Sequence, residues 1–99
     1  MAEAPVSEMA IFRRVVEDEQ AVFSEEAARD ILRLDFSPSD RKRMNDLAAK
    51  NREGKLSTAE EEELDNYIRV GQTLGILQSK ARRVLKRSRE LRARKQGKS

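Results

Sequence analysis

Ninety-nine residues, 39% of them charged and only four aromatic, make one small domain with a thin apolar core, so stability is expected to be modest or borrowed from a partner. The chain has no cysteine and no histidine, which excludes disulfides, thiolate nucleophiles and zinc–thiolate sites and removes the usual general base near neutral pH. The formal net charge of +3 hides an asymmetry: residues 80–99 hold ten Lys/Arg and one acid, a local +9, while residues 1–79 hold eleven bases and seventeen acids, a local −6.

The longest apolar runs are two to three residues, such as Gly75 to Leu77, against the roughly 20 that cross a bilayer. Met1 to Val6 contains Glu3 and Pro5 rather than a basic region followed by an apolar one, so no secretory leader is expected and a cytoplasmic location is.

In chain order, residues 1–23 come first. Ser7 can cap a short helix carrying Met9, Ile11, Phe12, Val15 and Val16, although Phe12 and the Val15–Val16 pair would also suit a strand. The pairs at 11/12 and 15/16 repeat at i,i+4, which favours a helix with an apolar face that docks on the rest of the chain or on a partner. In residues 24–36, Ser24 is a good N-cap, Glu25 and Glu26 sit where the helix dipole favours anions, and Ala27, Ala28, Ile31, Leu32 and Leu34 supply a face. Pro38 forces that helix to end before it.

Ser37, Pro38 at the first helical position and Asp40 two residues later open a third helix, with Met44, Leu47 and Ala48 as a narrow stripe. Gly54 stands where a left-handed stop residue is wanted, and Leu56 follows for the hydrophobic contact that accompanies such a stop. Ser57-Thr58-Ala59-Glu60 then reads as a capping box opening the fourth helix. From there an apolar stripe runs Tyr67, Val70, Leu74, Leu77, Ala81, Val84, Ser88, Leu91, alternating spacings of three and four in the manner of a heptad seam. Leu64, Ile68, Ile76 and Leu85 broaden it. A helix from Thr58 to Arg94 would be about 55 Å long. The third helix can cover less than half of it, so the basic end is expected to project into solvent unless a partner covers it.

Five features bear on function. The basic end is the strongest: Lys80, Arg82, Arg83, Lys86, Arg87, Arg89, Arg92, Arg94 and Lys95 could neutralise phosphates or an acidic protein surface, and the absence of aromatic side chains there argues against base stacking. Its bland competitor is a solubilising helix end whose bases suit the C-terminal dipole. The acids Glu60 to Glu63 and Asp65 chiefly suit a first helical turn. Their sharper reading is an antiparallel dimer in which they meet the basic end of a second copy.

Residues 49–60 echo a calcium loop, with Asn51, Glu53, Gly54, Ser57 and Glu60 at matching positions, but Ala49 stands where the first carboxylate belongs, so no metal site is expected. Gly71 and Gly75 each cost about 1 kcal/mol relative to Ala inside a helix, and close approach of another helix is the expected reason, with a hinge as the alternative. Catalysis is weakly supported: Ser79 and Lys80 are adjacent and so point to different helix faces, and no glycine-rich phosphate loop exists.

Three blocks together, Ser24 to Phe36, Gly54-Lys55-Leu56-Ser57-Thr58-Ala59-Glu60-Glu61 and Leu77-Gln78-Ser79-Lys80-Ala81-Arg82, lie within a stretch of about two-thirds of the chain that resembles a group of small bacterial helical proteins. The resemblance implies an all-helical accessory protein of an antitoxin-like or nuclease-associated kind and supplies no site residues.

The expected fold is all-α, three to four helices, with short N-terminal helices packed on the first half of one long C-terminal helix. Residues 1–23 form an apolar helix or docking segment, 24–85 a helical core with a hairpin turn at 54–57, and 80–99 the basic helix end and tail. The expected function is a non-enzymatic binding protein contacting an acidic ligand, foremost nucleic acid, through Lys80 to Lys95. Tyr67, Val70, Leu74, Leu77, Ala81 and Val84 form the packing seam toward the other helices, a protein partner or a second copy. The alternative is an antitoxin-like or scaffold subunit that binds a partner protein, for instance a nuclease, without touching nucleic acid. No cofactor, metal, membrane or small-molecule substrate is expected.

Overall fold

The structure, a computed structural model, describes residues 5–96. Residues 1–4 of the docking segment and residues 97–99 of the basic tail, Lys98 among them, lie outside the described residues. Among the described residues there are four helices and no strand: α1 (Glu8–Glu17), α2 (Glu25–Leu32), α3 (Pro38–Arg52) and α4 (Thr58–Gln96). The class is all-α, and the shorter helices pack on the long C-terminal one. The chain divides into two compact units, each including a part of α4: one joins the described residues up to Leu34 to those from Thr73 on, the other is Asp35–Gln72.

In the unit of residues 35–72, local signals set both ends of the hairpin. Ser37 Oγ accepts from the Asp40 N–H at 3.2 Å, with Pro38 in the first turn where its missing N–H costs nothing. At the far end Gly54 takes φ +69°, and the Gly54 and Lys55 amides donate to the Asn51 and Lys50 carbonyls at 3.0 and 2.9 Å, the paired bonds of a Schellman stop. The capping box closes both ways: Ser57 N–H donates to Glu60 Oε1 and the Glu60 N–H to Ser57 Oγ, each at 3.1 Å.

Leu47 is fully buried between the two helices of this unit, flanked by half-buried Met44, Ala48, Leu56 and Leu64. Arg43 grips Glu63 with two parallel bonds of 2.7 and 2.8 Å, Lys50 reaches Glu60 at 2.6 Å, and the Tyr67 hydroxyl donates to Asp40 at 2.8 Å. Phe36 meets the Tyr67 ring edge to face, centroids 6.0 Å apart. Glu60 and Glu63 of the acidic run are thus engaged within the chain. Gly54, Ser57 and Glu60, which echoed a calcium loop, serve as helix stop and capping box.

In the other unit the ambiguous first segment is a helix, capped by Ser7 Oγ accepting from the Ala10 N–H at 3.1 Å. α2 begins as expected, with Ser24 Oγ accepting from Ala27 at 3.0 Å, but ends at Leu32, short of Phe36. Its last carbonyls find partners off the helix axis: the Gln78 amide donates to the Ile31 and Leu34 carbonyls at 3.2 and 2.7 Å. Leu34, expected on the packed face, is consequently exposed. Met9 meets Thr73 and Val16 meets Lys80, so α1 runs parallel to α4. Glu25 meets Ser88 and Arg92 while Ile31 meets Gln78, so α2 runs back antiparallel and covers one side of α4 as far as Arg92. Val16, Ala28, Ile76 and Ala81 form the buried centre.

The glycines of α4 correct an expectation. A Cβ built at Gly71 or at Gly75 meets nothing within 4 Å, and α4 passes through both without a break. Close approach of another helix is therefore not the reason for either glycine. Gly75→Ala is therefore expected to raise stability by about 1 kcal/mol through helix propensity alone, read as a higher midpoint in thermal denaturation followed by circular dichroism.

The Lys50 and Ser57 hydrogen bonds hold the Glu60 carboxyl well below its ordinary 4.5, at about 2. A carboxyl whose folded value is depressed adds stability above its unfolded value that is lost as pH falls through the folded one. Stability should accordingly fall as pH drops from about 4.5 to about 2. Glu60→Gln should lower stability at pH 7 and flatten this part of the profile, measured by urea denaturation across a pH series.

Candidate polyanion-binding face

The basic segment lies on the last turns of α4, and its surroundings decide which cations face outward. Lys80 does not. Its side chain is 9% exposed, and its ammonium donates to three backbone carbonyls, those of Val16, Asp18 and Ala21. Three N–H bonds meet three acceptors, which is the full donor capacity of a lysine. The Val16 carbonyl belongs to the last turn of α1, where partial negative charge favours a cation. Phe23 presents its ring to the same ammonium, 4.9 Å from the centroid. Lys80 thus leaves the set of ligand-facing bases: the turn between α1 and α2 folds over it and uses the charge internally.

Arg92 is held in part. Its guanidinium pairs with Glu25 at the start of α2, and the Ser88 hydroxyl donates to the same carboxylate. The Ser88 hydrogen bond, then that of Arg92, keeps the Glu25 carboxyl below the usual range against the opposing effect of desolvation. Arg29, one turn along α2, adds a longer contact at 3.5 Å.

The remaining candidates, Arg82, Arg83, Lys86, Arg87, Arg89, Arg94 and Lys95, are all exposed. At 3.6 residues per turn, six of them, all but Lys95, fall in one sector of about 160° on the side of α4 away from Ser88 and Arg92. Arg83 donates to Ser79 at 3.0 Å, a contact that leaves its charge uncompensated. Among the described residues none of these seven forms an ion pair with an acid. The bases are unevenly spread: α2 takes one side, Lys95 stands apart, and a face of six cations remains on the other.

The seam residues divide as well. Ala81 is buried, Leu74, Leu77 and Val84 are half-buried in the same unit, and Tyr67 is half-buried in the hairpin unit, whereas Val70 is exposed. Ile76, read as lying beside the seam, is more buried than Leu77. Ser79 accepts from Arg83 while Lys80 turns to the end of α1, so the adjacent pair does not converge on a common site.

Sequence reading missed Glu25 and Gln78, and misassigned Lys80. A signal was present for the last: Lys80 stands four residues after Ile76 and four before Val84, in phase with the buried side.

Comparison with protein-family models, with curated proteins and with solved structures finds no match to the chain. The resemblance to small bacterial helical proteins is not supported by any of the three. Among the described residues no helix is long and apolar enough to cross a membrane.

Because Lys80 serves the fold, Lys80→Met should leave three carbonyls without their donor and cost about 2–4 kcal/mol in stability. Below the lowered melting temperature, the variant should behave as the wild type does in any polyanion-binding assay. Chemical denaturation and filter binding on the same preparation read the two quantities separately.

Proposed function

We propose that the protein is a non-enzymatic binding module that contacts a double-stranded nucleic acid through the cationic face of α4. The observation that carries this reading is the sector formed by Arg82, Arg83, Lys86, Arg87, Arg89 and Arg94, exposed and without acidic partners within the described chain. A row of bases on a rigid helix meets the regular charge of a duplex backbone, and neutralising its phosphates releases condensed counterions. The segment 80–96 holds no aromatic residue, so stacking on unpaired bases is not available to it. Two conspicuous carboxylates, Glu60 and Glu63, are engaged in caps and ion pairs, which favours a binding role over acid–base chemistry.

Purified protein should shift generic duplex DNA or RNA. If all six bases meet phosphates, the binding constant should fall with a log–log salt slope of about −5, or about a thousandfold between 50 and 200 mM salt. Reversing the charge of Arg82, Arg83, Arg87 and Arg89 should abolish the shift while leaving helicity by circular dichroism unchanged. A wild-type protein that leaves duplex unshifted at low salt but binds an acidic protein would replace this reading with the protein-only role.

A further inference from the structure

The cationic face of α4 has one acid in it. At about 100° per residue, Arg82 and Arg89 form one edge of the face and Arg83, Arg87 and Arg94 the other, about 130° away, with Lys86, Glu90 and Ala93 between them. Glu90 is exposed, and among the described residues it forms no ion pair, although Lys86 and Arg94 each stand four residues away. A face that met phosphates alone would be weakened by a carboxylate in its middle, which repels what the bases on either side attract. The position is favourable only where the middle of the helix meets something other than phosphate.

The surroundings leave this middle accessible. Ser88 and Arg92, which hold Glu25 at the start of α2, straddle the side of α4 opposite Glu90, so α2 backs the stretch and does not stand in front of it. α1 ends beside Lys80, before the face begins. On the flank of Arg83 and Arg87, the acids Glu17, Asp18 and Glu19 line the same open cavity. Like charge there keeps a phosphate strand from passing farther round the helix on that side.

We infer that the ligand is B-form DNA and that this face of α4 lies in its major groove, with the two arginine edges on the phosphates of the two strands and Glu90 on the base edges between them. The inference rests on the nucleic-acid reading above and narrows it. The B-form major groove, about 12 Å wide, admits one α-helix, whereas the major groove of A-form RNA is too deep and narrow for side chains to read. In the B-form groove a carboxylate accepts from the cytosine N4 amine and a lysine donates to guanine O6 and N7. Glu90 and Lys86, one turn apart in the middle of the face, therefore select a site containing G·C pairs.

Selection from a random pool of duplex DNA, at a salt concentration that weakens purely phosphate contacts, should enrich sites with a cytosine at one fixed position. Replacing that C·G pair by T·A turns the N4 donor into an acceptor and should weaken wild-type binding by about tenfold. An RNA duplex of the selected sequence should bind more weakly by a similar factor. Glu90→Ala should bind the C·G and T·A duplexes alike, with unchanged helicity, because the side chain is exposed and alanine is the better helix former. A pool that yields no preferred sequence, an RNA duplex bound as tightly as the DNA, or a Glu90→Ala protein that still discriminates overturns the inference and leaves the nucleic-acid reading standing. A wild type that binds no duplex at low salt overturns both.

Discussion

The buried ammonium of Lys80 is the interaction on which the arrangement of the first two helices depends. A charge removed from water is costly unless its hydrogen bonds are replaced, and here three carbonyls and an aromatic face replace them. Those carbonyls belong to the end of α1 and to the turn that follows it. The cation therefore fixes where α1 stops, which way the chain turns and where α2 begins. Gln78, two residues earlier on α4, does the same for the end of α2 through its side-chain amide. In a chain with so thin an apolar core, polar side chains of one helix complete the orphaned ends of two others, so the packing has a definite register despite few large buried residues.

The same arrangement sorts the cations of α4 by role. Lys80 is internal, Arg92 is shared with Glu25, and six of the others, all but Lys95, face away from α2. A segment that looks uniformly basic in sequence becomes a helix with a covered side and a charged side.

What could be read from sequence was local. Ser7, Ser24, Ser37 and Ser57 each act as the cap that residue type and position announced, and Gly54 takes the left-handed conformation expected of a stop, because these signals work within four or five residues of chain. The density of bases near the end was equally plain. The early end of α2 and the fate of Lys80 were not, since both rest on which distant element lies opposite. Lysine is so rarely buried that its place in phase with Ile76 and Val84 counted for less than its charge. Gly71 and Gly75 show the converse: composition implied a neighbour that the chain does not supply.

The spacing of contacts along the chain also sets an order of assembly. The hairpin of α3 with the start of α4 is held by pairs about 20 residues apart, such as Arg43 with Glu63. The bonds from Lys80 to the α1 end span 59 to 64 residues, and that from Ser88 to Glu25 spans 63. During synthesis the hairpin can close as soon as its own residues have left the ribosome. The first two helices have nothing to settle on until residues 73–92 have emerged, so α1 and α2, made before the hairpin, must wait for it to pass before they can dock.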